Sequence, residues 1–499
     1  MTTIAHNHGT IVNFINGEWT AGGATRTIAN INPATGESLG EVIVSGRAEA
    51  EAAVSAAKAA SAAWRRTPAP KRGDILLKAA ELMIARKEEL ATALTLEEGK
   101  TLGESRGEVQ RAINVTLFEA GEGRRLSGET VPSELPSTFC YTRREPIGVV
   151  ALVTPWNFPV AIPAWKLAPA LVTGNTVVLK PATITPWTAK LLVEIYAEAG
   201  LPAGVLNVVF GPGSTVGDTI VNHPAIAGIS FTGSNEVGMR LYADAAKQGK
   251  KVQCEMGGKN PVIVLEDADL ELAATGTVQG AFGSTGQRCT ATSRAVVIES
   301  VAEKYLDMLT AKTRALMVGN GMNPNVHVGP AVDGSQLRTD LDYIEIARGE
   351  AHIHLGGERL RGEAGELANG NFVSPTIVTG VTRTMRIAQE EVFGPVLSVM
   401  VARDFDEAME IANDVRYGLA SALYTRDMGR VFQYTDRSEA GILHVNNPTV
   451  GGEAQLPFGG LKQTGLGGRE MGKTAIEFFT EWKTVYVDYT GAARTSNVY

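Results

Sequence analysis

From Ile147 onward, short runs rich in valine and isoleucine alternate with segments of helical character. These runs are, in chain order, IGVVALVTPW, NTVVLKPAT, LNVVFGPG, GISFTGS and KVQCEMGG. Strands that are apolar throughout, and not only at every second residue, are typical of parallel sheets covered by helices on both faces. The pattern therefore predicts such a sheet, with helices near residues 160–173, 186–199 and 235–247 between its strands. Ligands of these sheets bind beyond the carboxyl ends of the strands, so we expect the chemistry to lie in the following turns.

A second series of strands and helices begins near Pro261 and ends near Gly468, which indicates another α/β domain. Upstream of both series, the spacing of apolar residues predicts helices over residues 47–64 and 71–90. The tail WKTVYVDYT has strand character, and we expect it to pair with residues 140–146 at an oligomer interface. A chain of 499 residues exceeds one ordinary domain. We predict a cofactor-binding domain over 1–126 and 147–258, a catalytic domain over 259–468, and a small β oligomerisation element over 127–146 and 469–499.

Composition and charge exclude several classes of protein. The net charge of −8 and the pI near 5.6 argue against a general nucleic-acid binder, which is usually basic. No uninterrupted apolar run is long enough to cross a membrane, and the start MTTIAHNHGT lacks the regions of a signal peptide. The three cysteines are widely separated, which implies no disulfide framework and favours the cytoplasm. The histidines do not cluster at ligand spacing, so no metal is expected.

Two glycine-rich turns are candidates for a nucleotide site. GPGSTVG (211–217) follows a strand, but its glycine spacing departs by one residue from that of dinucleotide-binding turns. In FTGSNEVG (231–238), Ser234 can cap the next helix, whose N-terminal N–H groups suit an anion. Either turn could need glycine only for its own geometry, but their recurrence in one α/β unit favours a nucleotide. Lys180, at the end of a buried strand, is either a snorkelling charge or a donor to a ribose.

Cys289 is the candidate nucleophile. A free cysteine is more often an inert buried residue, but the neighbours Arg288, Thr290 and Thr292 favour a polar, partly open setting. An Arg288 side chain that points at the sulfur would lower the pKa of the thiol. Glu255 lies between a strand end and a Gly-Gly turn and is the best candidate for the base. A capping or salt-bridged glutamate is equally compatible with the sequence at that position.

Seven blocks of the sequence together resemble the aldehyde dehydrogenase superfamily over nearly the whole chain. The blocks are TPWNFP (154–159), LKPATITP (179–186), FTGS (231–234), EMGGKNP (255–261), GQRC (286–289), EEVFGP (390–395) and PFGGLKQTGLGGRE (457–470). The resemblance implies an aldehyde dehydrogenase-like α/β fold, in which a Rossmann-type cofactor domain accompanies an α/β catalytic domain and a small β oligomerisation element. It also implies that Cys289 attacks an aldehyde carbonyl, while the Asn157 amide and the Cys289 backbone N–H stabilise the oxyanion. Hydride then passes to a nicotinamide, and Glu255 activates the water that hydrolyses the thioester.

The resemblance assigns further residues to the cofactor. Lys180 and Glu391 would contact the two riboses, and Phe393 would pack near the nicotinamide. The other implied contacts are Gly233 and Ser234 at the pyrophosphate, Gly211 and Gly213 beside the adenine, and the backbone of Thr154, Pro155 and Trp156 along the cleft. Many NAD-specific members have a glutamate three residues after the lysine, where this chain has Thr183. Because that charge would repel a 2′-phosphate, its absence predicts that NADP and NAD are both used.

Two arginines narrow the choice of aldehyde. Arg288 precedes the nucleophile, and Arg111 falls on a helix that faces the substrate tunnel in this family, with Phe158 and Trp165 as further tunnel residues. Two guanidinium groups beyond the thiol can clamp a carboxylate at the far end of the aldehyde. A solvated Arg111 and an Arg288 that only orders its loop are compatible with the same sequence. Together the two arginines favour a carboxylate-bearing aldehyde over an alkyl or aryl one.

Within the superfamily the chain looks most like the α-ketoglutaric semialdehyde (2,5-dioxovalerate) dehydrogenases of bacterial sugar-acid breakdown. The stretches GSTGQRCTATSR and FFTEWKTVYVDY suggest this subgroup. Dehydrogenases of succinic, glutaric or aminoadipic semialdehyde, and CoA-acylating semialdehyde dehydrogenases, are the alternatives. We expect a homodimer or homotetramer that acts on a small-molecule aldehyde and binds neither nucleic acid nor membrane.

Overall fold

The structure, a computed structural model, describes residues 7–362 and 367–493, and within them two large sheets form the framework of the fold. The first sheet contains, from edge to edge, the strands Gly465–Leu466, Lys251–Glu255, Ile226–Thr232, Val149–Val153, Thr176–Lys180, Leu206–Val208, Asn13–Ile15 and Glu18–Thr20. The strands from Lys251–Glu255 to Leu206–Val208 pair in parallel, whereas the outer strands pair antiparallel. Numbered along the chain, the parallel strands lie in the order 3-2-1-4-5, as in a doubly wound Rossmann sheet.

Helices cover both faces of the first sheet because its central strands are apolar at successive positions. Val150 and Leu152 pack into one hydrophobic cluster, whereas Val149 and Ala151 pack into another on the opposite face. The covering helices are Ala161–Thr173 and Pro186–Glu198 on the first face, and Arg47–Arg66, Asp218–Asn222 and Asn235–Ala246 on the second. The helices predicted from residue 47 and near residues 160–173, 186–199 and 235–247 are therefore confirmed.

The helix predicted over residues 71–90 is wrong as a single element. The structure contains two helices, Ala69–Ala85 and Lys87–Glu98, which meet at Arg86. Arg86 has φ −101° and ψ 19°, outside the regular helical region, so the axis changes direction there although the apolar spacing continues. The apolar spacing therefore predicted helical structure correctly but did not reveal that two helices meet at Arg86.

The helix Leu102–Glu122 brings functional groups towards the centre of the molecule. It begins with a capping box, in which the Glu104 N–H donates to Thr101 Oγ1 at 3.3 Å and Glu104 Oε2 accepts from the Thr101 N–H at 3.0 Å. Glu104, Glu108 and Arg111 follow at intervals of four and three residues, so they lie on one face of the helix.

The second sheet contains, from edge to edge, the strands His352–Leu355, Thr376–Thr379, Val396–Ala402, Thr292–Ile298, Asn260–Val264, Ala420–Tyr424 and Ile442–Val445. Neighbouring strands pair in parallel, apart from His352–Leu355 at the edge. The accompanying helices are Leu270–Phe282, Glu299–Arg314, Gly334–Glu350, Arg386–Gln389, Phe405–Asn413 and Met428–Arg437. The second strand–helix series, expected from Pro261 to Gly468, is present.

A third sheet is antiparallel and contains the strands Thr480–Asp488, Thr138–Pro146 and Thr130–Pro132. The tail therefore pairs with the segment around residues 140–146, as predicted. Helix Gly472–Phe478 lies within the part predicted as an oligomerisation element, but its Ile476 and Phe478 pack into the core of the first sheet. The bounds and roles of the three predicted domains stay predictions.

Short elements complete the described fold. They are the strands Thr10–Ile11, Thr27–Ile31, Ser38–Ile43, Tyr417–Gly418 and Leu461–Lys462, the π-turn Gly213–Gly217 and the 3₁₀-turn Gly283–Gly286. Within residues 7–362 and 367–493, no helix is both long enough and apolar enough to cross a bilayer.

Candidate active site

The site lies where residues that follow strands of the first sheet meet residues that precede strands of the second. Trp156 follows the strand Val149–Val153, and its ring meets that of Phe393 edge-on, with the centroids 5.4 Å apart. Phe393 precedes the strand Val396–Ala402 of the second sheet. Asn157 Nδ2 donates to the carbonyl oxygen of Gln287 at 3.0 Å, and Gln287 lies shortly before another strand of that sheet.

Cys289 lies on a strained loop that follows helix Leu270–Phe282. Ser284 and Thr285 have φ values of 48° and 59°, in the left-handed region, which costs about 1–3 kcal/mol for each such residue. Several hydrogen bonds hold the loop in this form. Gln287 Oε1 accepts from the Val332 N–H at 2.9 Å, and Asn260 Nδ2 donates to the carbonyl oxygen of Cys289 at 2.8 Å. The position of the sulfur is therefore set by contacts with both neighbouring segments.

Two cavities meet at Cys289. The first, which we call the Arg111 cavity, has a volume of about 550 Å³ and includes Arg111, Phe158, Trp165 and Arg288 in its lining. All the residues predicted to bind substrate therefore line one cavity with the candidate nucleophile. The second, which we call the Phe393 cavity, has a volume of about 280 Å³. Its lining includes the predicted residues Pro155, Trp156, Asn157, Gly233, Ser234, Glu391 and Phe393.

Arg111 has unused hydrogen-bonding capacity at the Arg111 cavity. Its Nε is buried and has no hydrogen-bond partner among the residues that the structure describes. Its Nη2 donates to the sulfur of Met471 at 3.4 Å, and sulfur is a weak acceptor. The guanidinium also lies 6.0 Å from the centre of the Trp165 ring. Burial lowers the pKa of Arg111 to about 10, so the group stays charged at neutral pH. A buried guanidinium with a free donor is suited to a carboxylate from a ligand.

The prediction that Arg288 lowers the pKa of the thiol is wrong. The Arg288 guanidinium donates from Nη2 to Ser284 Oγ at 2.8 Å and to Glu104 Oε1 at 3.5 Å, and its charge is not among the causes of the shift in the pKa of the thiol. Burial, together with the carboxylates of Glu391 and Glu255, instead raises the pKa of Cys289 to about 12. The thiol is therefore protonated at neutral pH, and a base must take its proton before it attacks.

Glu255 lies at the end of strand Lys251–Glu255, away from the lining of both cavities. Its Oε2 accepts from the Gly460 N–H at 3.2 Å, while Oε1 is buried without a partner in the described part of the chain. Burial and the nearby Glu470 carboxylate raise the pKa of Glu255 well above its usual range, despite the opposing charges of Arg469 and Lys166. Such a carboxylate is a stronger base than that of an exposed glutamate.

Glu391 enters the Phe393 cavity from the second sheet. Its Oε1 accepts from the Gly258 N–H at 2.8 Å. A side chain at Gly257 would collide with the same carboxylate, so the glycine at this position makes room for Glu391. Burial raises the pKa of Glu391 to about 7. The residue is therefore placed to hydrogen-bond a ligand hydroxyl in this cavity.

The Phe393 cavity lies at the topological switch point of the first sheet. The strands Val149–Val153 and Ile226–Thr232 are neighbours there, although their chain connections run to opposite sides. Ser234 occupies the N-cap position of helix Asn235–Ala246, but its side chain accepts no hydrogen bond from that helix within residues 7–362 and 367–493. Ser234 is therefore the N-cap residue, as the sequence predicted, but the side-chain hydrogen bond typical of such a cap is not formed among the described residues. The hydroxyl and the first N–H groups of the helix are left to bind an anion.

The remaining predicted cofactor residues lie outside the Phe393 cavity, farther along the same edge of the first sheet. Lys180 ends its strand beside Thr154, whose N–H donates to the Lys180 carbonyl oxygen at 3.1 Å. Thr183 Oγ1 donates to the Gly211 carbonyl oxygen at 3.1 Å, and Gly213 begins an exposed turn. Burial lowers the pKa of Lys180 to about 8. The whole set follows successive parallel strands, so an extended ligand can cross the sheet edge, and the residues fit a dinucleotide.

The sequence did not reveal several residues that hold the site together. Lys100 Nζ donates to the carbonyl oxygen of Asn157 at 2.6 Å and pairs with Glu108, also at 2.6 Å. Glu104 Oε1 accepts from the Ser284 N–H at 2.6 Å and so ties helix Leu102–Glu122 to the cysteine loop. The alternation of strands and helices carries no signal for such contacts. A capping-box pattern could have found Glu104 as a helix start, but not its second contact.

Two further observations concern the cysteines and the possible ligands of a metal ion. Cys140, Cys254 and Cys289 are all free. In the part of the chain that the structure describes, no group of three or more His, Cys, Asp and Glu side chains is arranged to hold a metal ion.

Comparison with known proteins identifies the family. The profile of the "Aldehyde dehydrogenase family" matches residues 19–485. The alpha-ketoglutaric semialdehyde dehydrogenase of Bacillus subtilis is 45% identical over 480 residues, which are 96% of this chain and 98% of that protein. The 2,5-dioxopentanoate dehydrogenase of Saccharolobus solfataricus is 46% identical over 469 residues, which are 93% and 97% of the two chains.

A solved structure shows the same fold. The betaine aldehyde dehydrogenase of Staphylococcus aureus, in complex with NAD⁺, superimposes with a TM-score of 0.94 at 35% identity. The match covers 97% of this chain and 96% of that one. The resemblance seen in the sequence motifs and the expected α/β fold are both confirmed. The chain belongs to the aldehyde dehydrogenase family.

Proposed function

We propose that the protein oxidises a carboxylate-bearing aldehyde with NAD or NADP, and that this aldehyde is α-ketoglutaric semialdehyde, which yields 2-oxoglutarate. The observation that carries the proposal is the Arg111 cavity, which has a cysteine at one end and a buried, under-used guanidinium in its wall. The names of the relatives at 45% and 46% identity support the same substrate. We propose that the Arg111 cavity binds this aldehyde and that Arg111 is the main ligand of its carboxylate.

Chemistry begins at Cys289. Its proton passes to Glu255, which releases it to solvent before the hydrolysis step, and the thiolate attacks the aldehyde carbon to form a thiohemiacetal. The Asn157 amide and the Cys289 backbone N–H would donate to the resulting oxyanion. Each donor of this kind contributes about 3 kcal/mol at the transition state. Asn157 is buried, and its amide is aligned by the bond to Gln287, so little reorganisation is needed.

The Phe393 cavity would hold the nicotinamide end of the cofactor, which when bound accepts the hydride that leaves the thiohemiacetal carbon. Trp156 and Phe393 form apolar walls, and Glu391 can accept a hydrogen bond from the ribose. Ser234 and the helix that follows it suit the pyrophosphate. These residues orient the ring beside Cys289, because the sulfur belongs to the lining of the same cavity.

Hydrolysis completes the reaction. Once hydride has left, the substrate carbon is a thioester on Cys289. Glu255 rotates from Gly460, removes a proton from water, and the resulting hydroxide attacks the thioester carbon. The C–S bond then breaks, the carboxylic acid leaves, and the sulfur takes the proton that Glu255 removed from water. The raised pKa makes the Glu255 carboxylate a stronger base than that of an ordinary glutamate, which suits this role.

We propose that both cofactors are used. Thr183 presents a hydroxyl, and no charge, near Gly211. The buried ammonium of Lys180 lies on the same sheet edge and can pair with a 2′-phosphate. The NAD⁺ complex of the S. aureus relative supports NAD as one of the two.

The second arginine completes the proposed substrate site. Arg288 is partly engaged by Ser284 and Glu104, but its Nε is buried and has no partner among the described residues. A five-carbon substrate with a carboxylate and a 2-keto group offers acceptors to both arginines. Succinic, glutaric and aminoadipic semialdehydes share the carboxylate and remain the alternatives. A CoA-acylating reaction is disfavoured because Glu255 is present to activate water.

Other features of the structure support proposals for the oligomeric state and the cellular compartment of the protein. The third sheet exposes the aromatic side chains of Phe139, Trp482 and Tyr486, which supports a homodimer or homotetramer built through this sheet. The free cysteines support a reducing compartment, for which we propose the cytoplasm.

The test is the absorbance of reduced cofactor at 340 nm, without added CoA. We expect 2,5-dioxopentanoate to be oxidised with NAD and with NADP, and pentanal, which has the same number of carbons, much more slowly. Cys289→Ala should abolish the signal. An absolute requirement for CoA, or a preference for pentanal, would contradict the proposal.

A further inference from the structure

Lys100 and Glu108 form a buried ion pair beside the candidate oxyanion site. The Lys100 ammonium lies 2.6 Å from a Glu108 carboxylate oxygen, and both side chains are fully shielded from solvent. Lys100 follows Gly99, whose left-handed φ of 101° ends helix Lys87–Glu98. Glu108 comes from the facing side of helix Leu102–Glu122. The short link between the two helices and the second helix therefore contribute one charge each to the same buried point.

The pair holds the backbone of the segment that carries Asn157. Lys100 donates to the carbonyl oxygen of Asn157 at 2.6 Å. Glu108 Oε1 accepts from the N–H groups of Val160 and Ala161, at 2.9 and 3.1 Å. The Lys100 ammonium also lies 3.9 Å from the centre of the Phe158 ring. The turn from Asn157 to the first residue of the next helix is therefore fixed at both ends.

The charges at this point balance without a further ligand. Glu98 lies 3.8 Å from the Lys100 ammonium and is also fully buried. Burial, together with the neighbouring Glu108 carboxylate, raises the pKa of Glu98 to about 8, against the pull of Lys100. Glu98 is then mainly a neutral acid at pH 7, which leaves Lys100 paired with Glu108. A buried ion pair of this kind contributes little net stability compared with apolar side chains, but it fixes geometry strongly.

We propose that Lys100 and Glu108 are positioning residues, which hold the backbone at Asn157 so that its amide points at the oxyanion formed on Cys289. This inference rests on the oxyanion role of Asn157 in the proposed function. Neither residue needs to touch the substrate, because the effect passes through the Asn157 carbonyl and the turn that follows it. A displacement of about 1 Å at a reacting group can lower a rate roughly 100-fold.

A double-mutant cycle can separate positioning from general stability. The pair variant is Lys100→Met combined with Glu108→Gln, which removes both charges and keeps an acceptor for Val160 and Ala161. Its kcat/KM for 2,5-dioxopentanoate is compared with those of the wild type, Asn157→Ala, and the combined variant. We expect a loss of roughly 10- to 100-fold from the pair variant and of roughly 100- to 1,000-fold from Asn157→Ala. In the combined variant, kcat/KM should be less than about threefold lower than in Asn157→Ala alone, because the amide that the pair positions is absent from both.

Arg72 provides a matched control. It is a buried cation that donates to the main-chain oxygens of Val172 and Thr67, away from Cys289. Arg72→Met should lower Tm, and whatever effect it has on kcat/KM should be the same in the presence and absence of the Asn157 amide. If the pair variant does not fold, Glu108→Gln alone is measured in both backgrounds.

Each outcome of the double-mutant cycle either supports or contradicts the positioning role of Lys100 and Glu108. The pair acts only through stability if it lowers kcat/KM by the same factor with and without the Asn157 amide, as Arg72→Met is expected to do. An unchanged kcat/KM in the pair variant would also overturn the inference. In either case a large loss from Asn157→Ala would leave the proposed oxyanion role intact. A negligible loss from Asn157→Ala would instead contradict that role, and the inference with it.

Discussion

Replacing Arg111 with methionine should change which aldehydes the protein prefers. Methionine keeps an unbranched side chain against Trp165 but removes the charge and the free Nε donor. Because Arg111 is largely buried, a substrate carboxylate that meets it loses most of its water and gains charge-assisted hydrogen bonds. Such a hydrogen bond contributes about 1.5–3 kcal/mol. At about 1.4 kcal/mol for each factor of ten, this corresponds to a roughly 10- to 150-fold change in kcat/KM.

The assay compares 2,5-dioxopentanoate with pentanal, by the initial rate of absorbance increase at 340 nm. Arg111→Met should lower kcat/KM for the first by the stated factor and leave that for pentanal nearly unchanged. Arg106→Met is the matched control, because Arg106 lies on the same helix but is exposed and pairs with Glu88. If the ratio of the two aldehydes shifts by less than about threefold in Arg111→Met, or shifts equally in the control, Arg111 does not read the carboxylate.

The other predictions concern Glu255 and the cofactor. In Glu255→Gln, NADH should form slowly, because the thiol has lost its proposed base, and should stop at about one equivalent per site, because the thioester on Cys289 is no longer hydrolysed; sustained turnover in a rapid-mixing experiment would contradict this. Since burial raises the pKa of Glu255, its base form is populated only at a higher pH than that of an ordinary glutamate, so single-turnover hydrolysis of the thioester should accelerate with rising pH and have its midpoint above the usual glutamate range. Thr183→Glu should weaken the use of NADP but not NAD by roughly tenfold or more, since like charges about 4 Å apart repel by about 1–4 kcal/mol. Because the pKa of Lys180 is lowered to about 8, its positive charge is lost above that pH, and the KM for NADP relative to NAD should rise from pH 7 to 9.

The sequence predicted the parts of the fold that follow from local pattern. The apolar strands ending at Val153, Lys180 and Glu255 gave the parallel sheet, and the motifs around them named the residues that line the cavities. Those motifs carried the chemistry because each one follows a strand end, where a parallel sheet leaves space for a ligand.

The contacts that orient the site were not predictable in the same way. The sequence allowed Arg288 either to face the sulfur or to order its loop through an ion pair, and only the fold shows that Glu104, 184 residues earlier in the chain, engages its guanidinium. Lys100 would ordinarily be assigned to solvent, since lysine is rarely buried, and only the fold shows that Glu108 and the Asn157 carbonyl enclose it. Such pairings depend on how distant helices meet, and neither periodicity nor spacing encodes that.

The meeting of two separate cavities at Cys289 has a consequence for the order of events. Under the proposed function, the aldehyde would lie in the Arg111 cavity and the nicotinamide end of the dinucleotide in the Phe393 cavity, so the two would meet Cys289 from different sides. The nicotinamide end could then withdraw while the acyl group stays bonded to the sulfur, and the space that it leaves would admit water and the side chain of Glu255. In a site with one shared cavity, the cofactor could not make that room without passing the acyl group.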